Sequence, residues 1–189
     1  MDMSPSFIAG AKKAFPKATI VFDHFHIMQM AGKMLDLVRK ELLRQGFDLK
    51  GSMWSIRGNA WTRSAEQLEK RKSLCSSYPV LARALLLRDL LQDFLGQGDE
   101  GLLDYWCKRA MSSRLEPFKV LARSIRAHRA GIVAFMKTRV TNGLIEAING
   151  LLQLAKRLAR GFRSLRNFKT MAYLKAGRLK LDLPQFRPV

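Results

Sequence analysis

The chain has 189 residues, enough for one sizeable domain or one domain with an insertion. Its hydrophobic content of 48% excludes a disordered chain, and no apolar run approaches the roughly 20 residues that cross a bilayer. A formal net charge of +19 favours a polyanionic partner and steeply salt-dependent binding to nucleic acid, with a ribosome-associated role or an anionic membrane surface as the alternatives that charge leaves open.

The first residues, Met-Asp-Met-Ser-Pro, carry neither a cationic start nor an apolar core, so no signal peptide is read there. Ser4 and Pro5 open a short helix expected to bury Phe7, Ile8, Ala11 and Phe15 before Pro16 stops it. Residues 18–22, Ala-Thr-Ile-Val-Phe, are β-branched and aromatic and read as the one short strand of the chain. Asp23 is placed to cap a long helix with Ile27, Ala31, Met34, Val38 and Leu42 on one stripe, ending near Gly46.

Residues 46–62 look irregular, with Gly46, Gly51, Gly58, Trp54 and Trp61. Ser64 and Gln67 form a capping-box pattern that opens the next helix. A further helix starts at Pro79 and carries Leu81, Leu85, Leu91 and Leu95, and the Gly96–Asp99 turn leads into one with Leu103, Trp106, Cys107 and Met111. Pro117 can start another, with Phe118, Leu121, Ile125, His128, Ile132 and Phe135 in one stripe, and two last helices follow Asn142 and Ser164. The tail 182–189 is expected to fray. Cys75 and Cys107 lack metal-ligand or redox spacing and read as free thiols.

The helix after Asn142 has an apolar stripe of Ile145, Ile148, Leu152, Ala155 and Ala159. Its other side reads Glu146, Asn149, Gln153, Lys156, Arg157 and Arg160, acidic at the start and basic at the end. Every charged residue between Glu146 and Asp182 is a cation, nine of them, including Arg163 and Arg166. Glu146 taken alone complements the helix dipole, and the cations taken alone form a solvated face. The lack of balancing acids fits better a carboxylate that holds a divalent metal beside a phosphate backbone. Asp23-His-Phe-His26 sits where strand meets helix, with Asp23 most simply a cap and the two histidines poorly spaced for zinc. His128 reads as a core histidine, and Asp2 in isolation is unremarkable.

In their order and spacing these pieces resemble a family. Asp2-Met-Ser-Pro, residues 15–22, Asp23-His-Phe-His26, a helical middle, Asn142-Gly-Leu-Ile-Glu146-Ala-Ile-Asn149 and Arg160-Gly-Phe162 are similar to the ISL-three family of bacterial insertion-sequence transposases, from Asp2 to about Leu181.

The resemblance implies a DDE catalytic core, in which three carboxylates hold two Mg²⁺ or Mn²⁺ ions for cleavage and transfer of DNA strands. The expected fold is predominantly α with one short β-strand, a truncated RNase H-like α/β core carrying a helical insertion. Its expected parts are a partial core at 1–45, the insertion at 46–135, C-terminal core helices with the basic face at 136–181, and the tail.

Asp2 matches the family's second aspartate and Glu146 its glutamate, as catalytic and metal-holding residues. Asp23, His26, Asn142 and Asn149 are given supporting roles, and Lys156, Arg157, Arg160, Arg163 and Arg166 contacts to DNA phosphates. The family's first aspartate and its end-recognition segments have no counterpart here. The chain is therefore expected to be inactive alone and to work with the missing half or with a full-length transposase, on transposon ends and target DNA, in the bacterial cytoplasm at the nucleoid. The alternative is a non-catalytic helical nucleic-acid-binding protein that regulates a full-length transposase. A membrane-surface role is set aside, because no helix joins a cationic face to a Trp/Phe face.

Overall fold

A computed structural model of the chain describes residues 3–56, 64–141 and 143–177. Asp2, Asn142, Gly58, Trp61 and the tail from Arg178 lie outside the described residues. The chain divides into two compact units, Met1–Thr141 and Asn142–Val189.

In the first unit, Pro5 begins α1 (Pro5–Ala14). The carboxylate of Asp23 accepts from Phe25 N and starts α2 (His24–Arg44). A short α3 (Met53–Ile56) precedes α4 (Ala65–Ser77), whose reciprocal Ser64–Gln67 capping box forms as the sequence leads one to expect. Pro79 opens α5 (Pro79–Gln97), and Gly98 ends it with a left-handed φ of 82°. Asp99 then caps α6 (Glu100–Ser112) through the backbone of Gly101 and Leu102. Next come α7 (Glu116–Ala127) and α8 (Arg129–Thr138).

The long stripe read after Pro117 is therefore two helices, broken at His128, whose φ of −109° leaves the helical region. His128 is half-buried there, with Nδ1 2.8 Å from Ser124 O.

The core of this unit lies where α2 packs on α5 and α7, and where α6 packs on both α5 and α7. Ile27, Ala31, Leu35, Val38 and Leu42 form the buried stripe of α2, with Leu35 rather than Met34 at its centre. They meet Leu81, Leu85, Leu91 and Leu95 of α5 and Phe118, Leu121 and Ile125 of α7, each large side chain contributing about 1.5–3 kcal/mol by leaving water. Trp106 is fully buried, and its indole N–H donates to Leu87 O at 2.6 Å, satisfying the one polar atom that its burial would orphan. Both cysteines are free; Cys107 is buried, and that burial pushes its thiol up from the ordinary range.

The expected α/β core is overturned. Among the described residues there is no strand and no sheet, and the fold is helical throughout. Residues 19–22 are neither helix nor strand, and they tuck against the α7–α8 break instead of pairing with a strand. Phe22 N donates to Gly131 O at 3.1 Å, and the Phe22 ring lies edge-on to His128 at 5.2 Å. The apolar, β-branched composition that suggests a strand serves here to bury one aromatic ring on a helix terminus. α1 also differs from expectation: none of its residues is buried, and Phe7 and Phe15 are 61% and 68% exposed.

The second unit is a helical pair, α9 (Gly143–Leu158) packed on α10 (Leu165–Ala176). Ala155 is buried, Ile148 and Leu152 are half-buried, and Phe162 and Phe168 meet at 5.4 Å across the turn. Ser164 caps α10 by accepting from Asn167 N.

Candidate nucleic-acid interface

Each residue singled out for chemistry has a defined place, apart from Asp2 and Asn142. Glu146 stands exposed in the first turn of α9. Asn149, Gln153, Lys156 and Arg157 follow at helical spacing and are all exposed, so one face of α9 passes from a carboxylate through amides to cations. Gly150 lies on that face, and a Cβ built there meets nothing within 4 Å, so the backbone is bare between Glu146 and Gln153.

Past the end of α9 the chain turns sharply. Gly161 N donates to Lys156 O at 2.9 Å, with Arg160 at φ 49° and Gly161 at φ 98°. Holding a non-glycine residue in the left-handed region costs about 1–2 kcal/mol. Arg160, Arg163 and Arg166 are exposed along this turn and the start of α10.

The two units treat charge differently. In the first, most described carboxylates are paired with cations of the same unit. Asp36 binds Arg39 and Lys40, Asp89 binds Arg71 and Arg88, Glu100 and Asp104 share Arg129, and Glu116 binds Lys119 and Arg123. In the second, Glu146 is the only acid among the described residues, against Lys156, Arg157, Arg160, Arg163, Arg166, Lys169 and Lys175. A surface of one sign without internal compensation projects its field outward and condenses polyanions.

Asp23 is 4% exposed and engaged, with Phe25 N at 2.9 Å and His24 Nδ1 at 3.3 Å. His24 stacks on Phe135 at 5.0 Å, and His26 lies edge-on to Phe25 at 5.9 Å. Asp23 thus fixes the start of α2, and the histidines pack against aromatic rings. Among the described residues no three His, Cys, Asp or Glu side chains come together as metal ligands. These donors do not by themselves fit a two-metal site.

Two features escape a reading of the sequence. Arg139, at φ 56°, donates to Leu95 O and Gly96 O, closing the C-terminal end of α5. Arg71 and Arg88 share the single carboxylate of Asp89. Neither leaves a local signal beyond an unbalanced charge, since Arg139 reaches α5 from the end of α8 and Arg71 reaches Asp89 from α4.

A transposase family model, of the DDE type and ISL-three group, matches residues 1–172. This chain belongs to that transposase family. It is 33% identical over 139 residues to the transposase for insertion sequence element IS1557 from two strains of Mycobacterium tuberculosis, which covers 72% of this chain and 31% of theirs. It is 24% identical over 180 residues to the transposase for IS1001 from Bordetella parapertussis, covering 89% of this chain and 44% of that one. The chain thus spans about a third to under a half of the length of these transposases. No solved structure matches it. None of the described helices of this transposase-family chain is long and apolar enough to cross a membrane.

Proposed function

We propose that the chain serves DNA transposition of an insertion sequence by metal-dependent strand cleavage and transfer, with α9 and the turn after it as its DNA-contacting face. The observation that carries this reading is the exposed face of α9, where Glu146, the one acid among the described residues of its unit, heads a run of cations. Membership of the transposase family supports DNA as the partner of that face, which we read as transposon ends and target DNA in the bacterial cytoplasm, at the nucleoid.

In this reading Lys156, Arg157, Arg160, Arg163 and Arg166 hold phosphates, and Asn149 supports them from the same face. A divalent ion, Mg²⁺ or Mn²⁺, would supply a sharpened oxygen nucleophile and a stabilised leaving oxygen. The described residues of the second unit offer it one exposed carboxylate, that of Glu146. Asp2 is the second carboxylate we assign, and the remainder of the site would come from elsewhere in the protein. Asp23 supports the site indirectly, by fixing the start of α2, and His26 by packing against Phe25 in the first turn of that helix.

The test is Glu146→Gln, measured by transposition of the element that encodes this chain and by DNA binding of the purified protein. Transposition should fall below detection while affinity for DNA stays equal or rises slightly. Unchanged transposition would remove Glu146 from the chemistry and leave a DNA-binding role alone.

A further inference from the structure

A groove of about 600 Å³ lies on the first unit, between α2, α3 and α5. Phe25, Met28, Gln29 and Lys33 line it from successive turns of α2, with Ile56 from α3 and Arg88 from α5. Three properties are unusual together. Its walls are mixed: Phe25 is 57% exposed beside Met28 and Ile56, yet two cations also face the same space. Among the described residues no carboxylate lines it. The helix wall also dips at Gly32, where an added Cβ would meet nothing within 4 Å, so a ligand could approach the α2 backbone directly.

The charge balance behind the groove points to an anion. The Arg88 side chain is 8% exposed and binds Asp89 Oδ1 at 2.9 Å. Asp89 also takes Arg71, so two largely buried guanidinium groups share one carboxylate. Nη1 of Arg71 is buried with no hydrogen-bond partner. Arg71 does not itself line the groove, but Arg88 does, and a buried excess of positive charge is costly unless an anion compensates it. Lys33 adds a second cation at the rim.

An exposed aromatic ring beside amides and cations is the chemistry of single-strand recognition, in which a base stacks on the ring and its phosphate meets the cation. We infer that this groove holds one unpaired nucleotide of a DNA strand, its base on Phe25 and Met28 and its phosphate toward Arg88 and Lys33. The inference rests on the reading of the chain as a DNA-binding transposase component. It adds a second contact, selective for unpaired DNA, to the α9 face.

The probe is a duplex with a short single-stranded tail carrying 2-aminopurine, compared with a blunt duplex of the same sequence. The full chain should bind the tailed DNA about tenfold more tightly and quench the 2-aminopurine. Phe25→Ala, and Gly32→Leu, which fills the groove, should reduce tailed-DNA affinity to that of the blunt duplex and abolish the quench. Both positions lie at the groove face of α2, and a third variant, Lys33→Ala, should lower the preference without disturbing the helix.

Equal binding of tailed and blunt DNA would overturn the proposal while leaving the α9 reading intact, as would variants that quench like the wild type. Failure to bind either DNA would overturn both readings. Displacement of the tail by an equal concentration of a free deoxynucleoside 5′-monophosphate would overturn the assignment to a DNA strand in favour of a free nucleotide.

Discussion

The ring of Phe22 occupies the space that a side chain at Gly131 would need. A Cβ at Gly131 would lie 2.4 Å from Phe22 Cδ2 and 3.0 Å from Ile20 O, while Phe22 N donates to Gly131 O at 3.1 Å. The segment 18–22 is thus seated on bare helix backbone, and the glycine is required by close approach because its φ is ordinary.

Gly131→Ala should therefore destabilise the first unit despite the better helix propensity of alanine. The propensity gain is under about 1 kcal/mol, whereas overpacking against an aromatic ring and a carbonyl costs about 1–3 kcal/mol. Urea unfolding should show a lower midpoint with an unchanged slope. A midpoint equal to or above the wild type would mean that Phe22 moves aside freely.

Arg139 offers a second test, because its side chain and backbone act in opposite directions. Its guanidinium bonds to Leu95 O at 2.9 Å and Gly96 O at 2.6 Å, and its φ of 56° is strained for any residue with a Cβ. Arg139→Ala removes the bonds and keeps the strain, at a cost of about 1–2 kcal/mol for these partly exposed contacts. Arg139→Gly removes both, and should be more stable than the alanine variant by up to about 1 kcal/mol in thermal unfolding. Equal stabilities would mean that the left-handed backbone relaxes once the guanidinium is gone.

Acid sensitivity follows from Arg129. Its Nε and Nη2 donate to the two carboxylate oxygens of Asp104 at 3.0 and 2.9 Å, and these bonds hold the Asp104 carboxyl below its usual range, with slight desolvation opposing them. Glu100 is also held down, by Lys137 first, with slight desolvation opposing and Arg129 adding to the lowering. Carboxyls depressed in the folded state contribute stability that is present above the unfolded values, near pH 4, and lost as pH falls through the folded ones. Below about pH 4 the melting temperature of the wild type should fall faster than that of Arg129→Met, with parallel curves above pH 5. Parallel curves throughout would show that these exposed pairs contribute nothing measurable.

These cases also show what the sequence could and could not reveal. The caps at Asp23, Ser64, Asp99 and Ser164 are local chemistry, so the starts of α2, α4, α6 and α10 are legible from a few adjacent residues. The charge sorting along α9 is legible for the same reason. Residues 18–22 were not, because β-branched composition reports burial of an extended chain and cannot distinguish a sheet partner from a helix terminus. The break at His128 was hidden by an apolar spacing that runs through it unbroken from Phe118 to Phe135. The shared carboxylate of Asp89 needs α4 and α5 brought together, which no window of sequence contains.

Gly150 separates helix stability from DNA contact on the proposed interface. It lies one turn after Glu146 in the interior of α9, with nothing within 4 Å of an added Cβ, so no packing among the described residues requires a glycine there. Interior glycine costs a helix roughly 0.5–1 kcal/mol against alanine, and glutamine ranks close behind alanine. Gly150→Gln should therefore stabilise α9, raising the melting temperature or the helical signal of the purified chain. If a DNA strand runs over the bare backbone between Glu146 and Lys156, the same substitution should weaken DNA binding without changing any charge. The dependence of log K on log salt should then keep its slope, since no phosphate contact has been removed, while neutralising Lys156, Arg157, Arg160 and Arg163 together should flatten that slope by about 3–4. A Gly150→Gln protein that is more stable and binds DNA as tightly as the wild type would place the strand on another face of α9.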